Sequence, residues 1–371
     1  ASAVFSLTTS SMKKKRRHRP REILRMPKLV RVAVLTKYLE VTQDLGLNPR
    51  DVLAVAGLNK AQLQSPDYRI PIDAAVRLLE DSAAASGCQT FGLRMAESRQ
   101  LSDFGVVSLL LSQQRTLRDA LQVMERYRHL MNDSLGIFVE EAGRVVIIRA
   151  EMVTESLLPN RQATELVIGV LFRLCSTLLG SKWRPYSVNF MHQPPDSLHL
   201  HRRLFGCNLE FGSEFNGIVC SDASFDMINP NADPAMARHA QAYLDSLQRD
   251  DSTSMLYEVR KAIYLLLPMG RATIEQIALS QGMNVRTFQR RLQDDGGVFN
   301  DLINDVRRDL ALRYLENPNN SMSRIADMFG FSMASSFTRW FVNQFGMPPA
   351  AWRSAQKQPG LCAESAAVPE P

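Results

Sequence analysis

The sequence predicts two domains: an N-terminal α/β (α+β) domain on a small mixed sheet, and an all-α C-terminal domain of two helix-turn-helix units joined by a long helix. Three observations predict this. A helical pattern at residues 273–292 recurs at 321–341, and a repeat of this sort is hard to obtain by accident. Residues 137–150 and several short runs after residue 186 read as strands interleaved with helical patterns. At 371 residues the chain also exceeds one typical core.

The first unit reads TIEQIALSQGMNVRTFQRRL, Thr273 to Leu292. Thr273 is a residue type that caps helices, with Gln276 in capping-box spacing. Ile274, Ile277 and Ala278 form one apolar face, and Gly282 supplies a turn that needs φ > 0. Asn284 caps a second helix whose Val285, Phe288 and Leu292 point inward, leaving Arg286, Gln289 and Arg290 on the opposite face. Arg and Gln are suited to bidentate bonds with guanine and adenine edges. Taken alone, such a hairpin reads equally well as an ordinary one with a solvated face.

The second copy decides between the two readings. Ile277-Ala278 and Gly282 recur 48 positions later as Ile325-Ala326 and Gly330. Arg290 and Leu292 recur 49 positions later as Arg339 and Phe341, so one residue is added after the turn. Met333, Phe337 and Phe341 are expected to be buried, with Ala334, Ser335, Thr338 and Arg339 exposed. Between the copies, Val298 to Asn317 reads as one helix ending at Pro318, with Phe299, Leu302, Ile303, Val306, Leu310 and Tyr314 as its stripe. A rod of about 30 Å is close to one turn of B-DNA, about 34 Å, so two reading helices can meet successive major grooves.

Residues from about Met255 to Arg353 resemble the DNA-binding domain of AraC/XylS-type transcription regulators. The run RIADMFGFSMASSFTRWFVNQFGMPPAAWR carries the resemblance, through Gly330-Phe331, Phe337, Arg339, Phe341, Phe345-Gly346, Pro348-Pro349 and Arg353. The resemblance implies double-stranded promoter DNA and RNA polymerase as partners. It puts Arg286, Gln289 and Arg290 at the base-reading positions of the first recognition helix, and Ala334, Ser335, Thr338 and Arg339 at those of the second. The second set is mostly short, which implies more backbone positioning than base discrimination there.

Charge is unevenly spread. Residues 1–27 carry eight Lys/Arg against one acid, while 28–254 hold 23 against 26. Residues 255–357 hold 13 against nine, and 358–371 hold two acids. The reading domain is therefore basic on a slightly acidic body, which fits a polyanion partner. Hydrophobic content of 45% and charged content of 22% are globular values. The five cysteines form no C-x-x-C pair, which fits reduced thiols in the cytoplasm rather than a zinc-thiolate module. The longest apolar stretch, Leu166 to Leu179, is interrupted by Arg173 and falls short of the roughly 20 residues that span a bilayer, so no membrane is expected.

The expected segments are a disordered basic extension at 1–27, an effector-binding or dimerisation domain at 28–230, a linker with a helix at 231–254, the DNA-binding domain at 255–357 and a disordered tail at 358–371. The basic run Lys13 to Arg21 is either an arm resting on phosphates or an extension outside the folded unit, and the second reading is favoured. Helices are expected at Val30 to Leu45, Pro71 to Ser86, Thr116 to Met131 and Arg161 to Leu179. Ile137 to Ala150 reads as a hairpin, and Tyr186 to Met191, Leu209 to Phe211 and Gly217 to Cys220 as strands. Asn229 to Pro234 marks the inter-domain boundary, and Arg249 to Ser254 reads as a polar second joint. This half resembles the N-terminal domain of the ornithine-utilisation subgroup, through Phe91 to Glu97, Phe104-Gly105 and the string His192, Pro195, Phe205-Gly206, Phe211 and Asn216. The resemblance implies an effector domain, and the scarcity of Gly-bounded strands argues against a β-barrel.

His192, His199 and His201, with Cys207 nearby, are types suited to a transition metal, and His199 and His201 would face the same way on a strand. Pro194-Pro195 break the region, so structural histidines are the favoured reading and no metal or other cofactor is expected. No P-loop, G-x-S-x-G or H-E-x-x-H stands in a workable context, and no enzyme is expected. The sequence points to an effector-responsive activator that takes a small molecule, with a homodimer as a further expectation. Two alternatives are a constitutive DNA-binding protein whose N-terminal domain only dimerises, and a metal sensor using those histidines.

Overall fold

The computed structural model describes residues 29–154, 159–180, 183–247 and 254–356. The basic run at 13–21, most of the joint at 249–254 and the tail from 358 lie outside them. The described residues open with β1 (Leu29–Arg31), followed by α1 (Tyr38–Asp44), α2 (Pro49–Val55), α3 (Lys60–Leu63) and β2 (Arg69–Pro71), which pairs antiparallel with β1. Next come α4 (Ile72–Ser86), α5 (Phe91–Glu97), α6 (Val107–Leu111) and α7 (Leu117–Arg126). A hairpin of β3 (Leu135–Ala142) and β4 (Val145–Met152) leads to α8 (Arg161–Leu179). Then follow β5 (Ser187–Phe190), α9 (His199–Phe205), β6 (Asn208–Phe211), β7 (Gly217–Ser221), α10 (Asp222–Phe225) and α11 (Pro234–Ser246). The five later strands form one open mixed sheet, ordered β3-β4-β7-β5-β6, in which only β5 and β6 run parallel.

The second half is all helix: α12 (Met255–Leu266), α13 (Ile274–Ser280), α14 (Val285–Asp294), α15 (Phe299–Glu316), α16 (Met322–Met328), α17 (Ala334–Phe345) and α18 (Pro349–Gln356). The mixed α/β half and the helical half are the two fold classes the periodicities predict.

The first half is organised on α8. Its long apolar run forms as expected and stops at Gly180, whose φ of +85° suits a residue without Cβ. Among the described residues it alone has the length and hydropathy of a membrane span, yet most of it is buried inside the core. Two glycines let α5 lie close against it. A Cβ on Gly92 would stand 2.0 Å from the Gln162 carbonyl oxygen, and one on Gly169 would stand 2.5 Å from the Ala96 Cβ.

Two expectations are corrected here. Val30 to Leu45 is not one helix: Val30 lies in β1 opposite Ile70, residues 32–35 make a 3-10 turn, and Lys37 is left-handed at φ +73°. The Val30, Val32, Val34 alternation suits a strand as well as a helix. Arg99 also donates to the Ala33 and Val34 carbonyls, the acceptors a continuing helix would use. The boundary at Asn229 to Pro234 also moves. Asn229 donates to the Ser112 and Gln114 carbonyls, Leu244 of α11 is fully buried in the first core, and Tyr127 donates to Asp245. The helix placed in a linker therefore packs as part of the first body, and the expected second joint at 249–254 lies almost wholly outside the described residues.

The halves are packed together. Val153, beyond β4, is buried in the helical half's core, with Phe138 and Met191 packed against that core. Tyr257 of α12 donates to the Asp133 carbonyl at 2.7 Å, Asn317 to the Gly212 carbonyl at 2.7 Å, and Arg324 pairs with Glu214.

Candidate nucleic-acid interface

Each helix-turn-helix is built from caps and a left-handed glycine. In the first, the Thr273 hydroxyl accepts from the Gln276 N–H and the Asn284 side chain accepts from the Thr287 N–H. Gly282 turns the chain at φ +65°, and Ile277, Ala278, Phe288 and Leu292 are buried. In the second, the Ser321 hydroxyl accepts from the Arg324 N–H, Gly330 sits at φ +73°, and Ile325, Ala326, Phe337 and Phe341 are buried. The added residue lies in the turn: α14 has its N-cap two positions after Gly282, α17 three positions after Gly330.

Met333 departs from expectation. It is the residue before α17, 62% exposed and without a side-chain capping bond. Displaced by the longer turn, it leaves Phe337 and Phe341 to hold the helix, in an aromatic cluster with Phe329 and Trp340.

Arg286, Gln289 and Arg290 are all exposed on α14. On α17, Ser335 and Arg339 are exposed, whereas Ala334 and Thr338 are half-buried. Ala334 packs against the helical core and Thr338 donates to the Ala334 carbonyl at 2.9 Å. The outward set of the second helix is therefore narrower than expected. Two exposed residues extend the same stripes, Gln293 on α14 and Asn343 on α17. Helical spacing alone, i+3 from Arg290 and i+4 from Arg339, would have found both.

The units are held on α15, whose 18 residues run to about 27 Å. Ile303, Val306, Leu310 and Tyr314 form its buried stripe, with Ala311 and Leu315. Arg307 donates to the Phe329 carbonyl through two nitrogens and lies over the Phe331 ring, tying the rod to the second turn. Burial draws that guanidinium below its ordinary value. At the other side, Asp309 accepts from Arg260 and Tyr264 of α12.

His192 and His201 converge on one carboxylate, and His199 stands apart from them. His199 and His201 lie on helix α9, not on a strand, so two positions set them about 200° apart. His199 is exposed, while His201 is fully buried against Phe190, Phe205 and Phe211, with Nε2 3.2 Å from the Glu165 carboxylate. His192 reaches the same carboxylate at 3.6 Å. Cys207 Sγ donates to the Asn208 carbonyl, and burial pushes its thiol up to about 11. Among the described residues no three His, Cys, Asp or Glu are grouped to hold a metal.

A duplicated helix-turn-helix with polar faces outward, on a helical domain that carries 13 Lys/Arg against nine acids over 255–357, defines a DNA-binding transcription regulator. Residues 46–228 match the profile of the arabinose-binding domain of AraC transcription regulator, N-terminal, and residues 277–355 match that of a helix-turn-helix domain. The HTH-type transcriptional regulator VirS of Mycobacterium tuberculosis is 30% identical over 328 residues, 88% of this chain and 96% of that protein. The ornithine utilization regulator of Pseudomonas aeruginosa is 24% identical over 333 residues, 88% and 97% of the two chains. The crystal structure of transcriptional regulator CdpR from Pseudomonas aeruginosa aligns over 85% of this chain and 98% of its own, at 18% identity and a TM-score of 0.41. The chain belongs to the AraC family of transcription regulators. These matches are to regulators of transcription, not to enzymes.

Proposed function

We propose that this regulator is an effector-responsive activator that reads two adjacent major-groove segments. On the first, α14 presents Arg286, Gln289 and Arg290. On the second, α17 presents Ser335 and Arg339, with Ala334 and Thr338 closing the contact from a half-buried position. The observation that carries the reading is the duplication itself: two exposed polar helices at the ends of two like units, spaced by a rod close to the repeat of the duplex. A small molecule taken up by the first half shifts the packing of that half on α12 and α15, which requires that it prefer one of two states. The remaining partners are RNA polymerase, engaged from the surface of the helical half, and a second copy of the chain, with the work done in the bacterial cytoplasm.

Footprinting of the full chain on its operator tests this. Two protected blocks about one duplex turn apart, changed in occupancy by an effector, are expected. A single block excludes the two-helix reading. Two blocks that no metabolite extract or candidate compound alters would favour the constitutive alternative.

A further inference from the structure

A cavity of about 130 Å³ lies inside the first half, between α4, α7, α8 and the β3–β4 hairpin. Its walls are aliphatic, among them Val76, Leu79, Met124, Ile137, Leu166 and Val170. Three arginines also line it, and their partners differ. Arg31 has the Asp67 carboxylate at 2.6 Å and Arg128 has that of Glu258 at 2.5 Å. Arg99 is the most buried of the three, with its side chain 6% exposed, and its nearest carboxylate, Asp103, is 3.9 Å away. Its terminal nitrogens donate to the Ala33 and Val34 carbonyls, while its buried Nε has no hydrogen-bond partner among the described residues. Carbonyls satisfy donors but do not neutralise charge, and burial lowers this guanidinium to about 10.

We propose that the cavity binds a small apolar monocarboxylate, its hydrocarbon part among the aliphatic walls and its carboxylate directed to Arg99, and that Arg128 relays its presence to the DNA-binding half. The volume is close to the roughly 150 Å³ of an apolar cavity that takes benzene, which sets the scale of the tail. A sugar would find too few polar partners on these walls, and a dianion would meet Asp103 and Glu125, which also line the space. The relay is built from shared residues. Glu125 and Arg128 face the cavity and also reach α12, through the Arg128–Glu258 pair and through Lys261, 3.8 Å from Glu125. The relay half of this proposal rests on the effector-responsive reading above; the binding half does not.

Calorimetric titration of the full chain with hexanoate, hexan-1-ol and hexylamine tests the binding. Hexanoate is expected to bind about tenfold or more tightly than hexan-1-ol, with no heat from hexylamine. Val170→Trp, at a half-buried wall position, should abolish hexanoate binding. Arg99→Met should reduce hexanoate to the level of hexan-1-ol. If Arg99→Met does not fold, the wild-type ligand series and Val170→Trp decide alone. Equal affinity for acid and alcohol, no binding of hexanoate, or unchanged binding in Val170→Trp overturns the site. Hexanoate that binds without altering the operator footprint overturns the relay while leaving the site standing.

Discussion

The Arg128 guanidinium lies 2.5 Å from the Glu258 carboxylate, joining the turn after α7 to the first helix of the DNA-binding half. The side chains are 25% and 16% exposed, so the pair stands between a surface ion pair and a buried one. Replacing either residue with Ala should cost about 1–3 kcal/mol, and the double variant should cost no more than the worse single one. A double-mutant cycle in urea checks this; strictly additive costs would mean the two groups do not act as a pair.

Arg290 and Arg339 occupy matching places on unlike helices. Arg290→Ala should cost about 1–3 kcal/mol on its own site and relax one base position. Arg339→Ala should weaken all sequences more evenly, because Ser335 and half-buried Ala334 and Thr338 leave it little company for base readout. Competition binding against a randomised operator library separates the outcomes. Uniform weakening by Arg290→Ala would make that residue a phosphate contact.

The two kinds of glycine should respond differently to alanine. At Gly282, with φ +65° and nothing within 4 Å of an added Cβ, the cost is backbone strain of about 1 kcal/mol. At Gly92 the new Cβ would stand 2.0 Å from a main-chain oxygen of α8, and forcing the two helices apart should cost about 1–3 kcal/mol or more. Melting temperatures of the two variants give the order; a milder Gly92→Ala would contradict the close α5–α8 crossing.

Glu80 accepts the Gln162 N–H at 2.7 Å, and burial pushes its carboxyl up from 4.5 to about 7. Between about pH 4.5 and 7 the folded chain therefore holds a proton the unfolded chain has released, and stability from this group falls as pH rises through that window. Glu80→Gln keeps an acceptor and removes the charge. The variant should be more stable than wild type at pH 8, by at most a few kcal/mol, with the gap closing toward pH 4.5. A gap independent of pH would assign the effect to packing instead.

Much of this molecule is legible in local patterns, because caps, left-handed glycines and apolar periods act over a few residues. Thr273 and Asn284 cap the helices their positions suggest, and α8 runs from Arg161 to Leu179 as its composition requires. What could not be read depends on partners distant along the chain. Arg99 reaches back 66 positions to open the segment after β1, and Asn229 fastens α11's approach to a turn 115 and 117 positions earlier. The cavity is drawn from residues as far apart as Arg31 and Leu171, so no window of sequence contains it. The turn before α17 differs: its one added residue, visible as the change of offset from 48 to 49, sets Met333 level with the capping Asn284 and so outside the buried stripe.

That longer second turn makes the two prongs unlike. On the proposed reading, a target they grip end to end cannot be a palindrome; it has a head and a tail. Inverting such a target within its promoter would swing the N-terminal half to the opposite flank, so the orientation of the site, and not only its letters, would set which neighbour on the DNA the protein can touch.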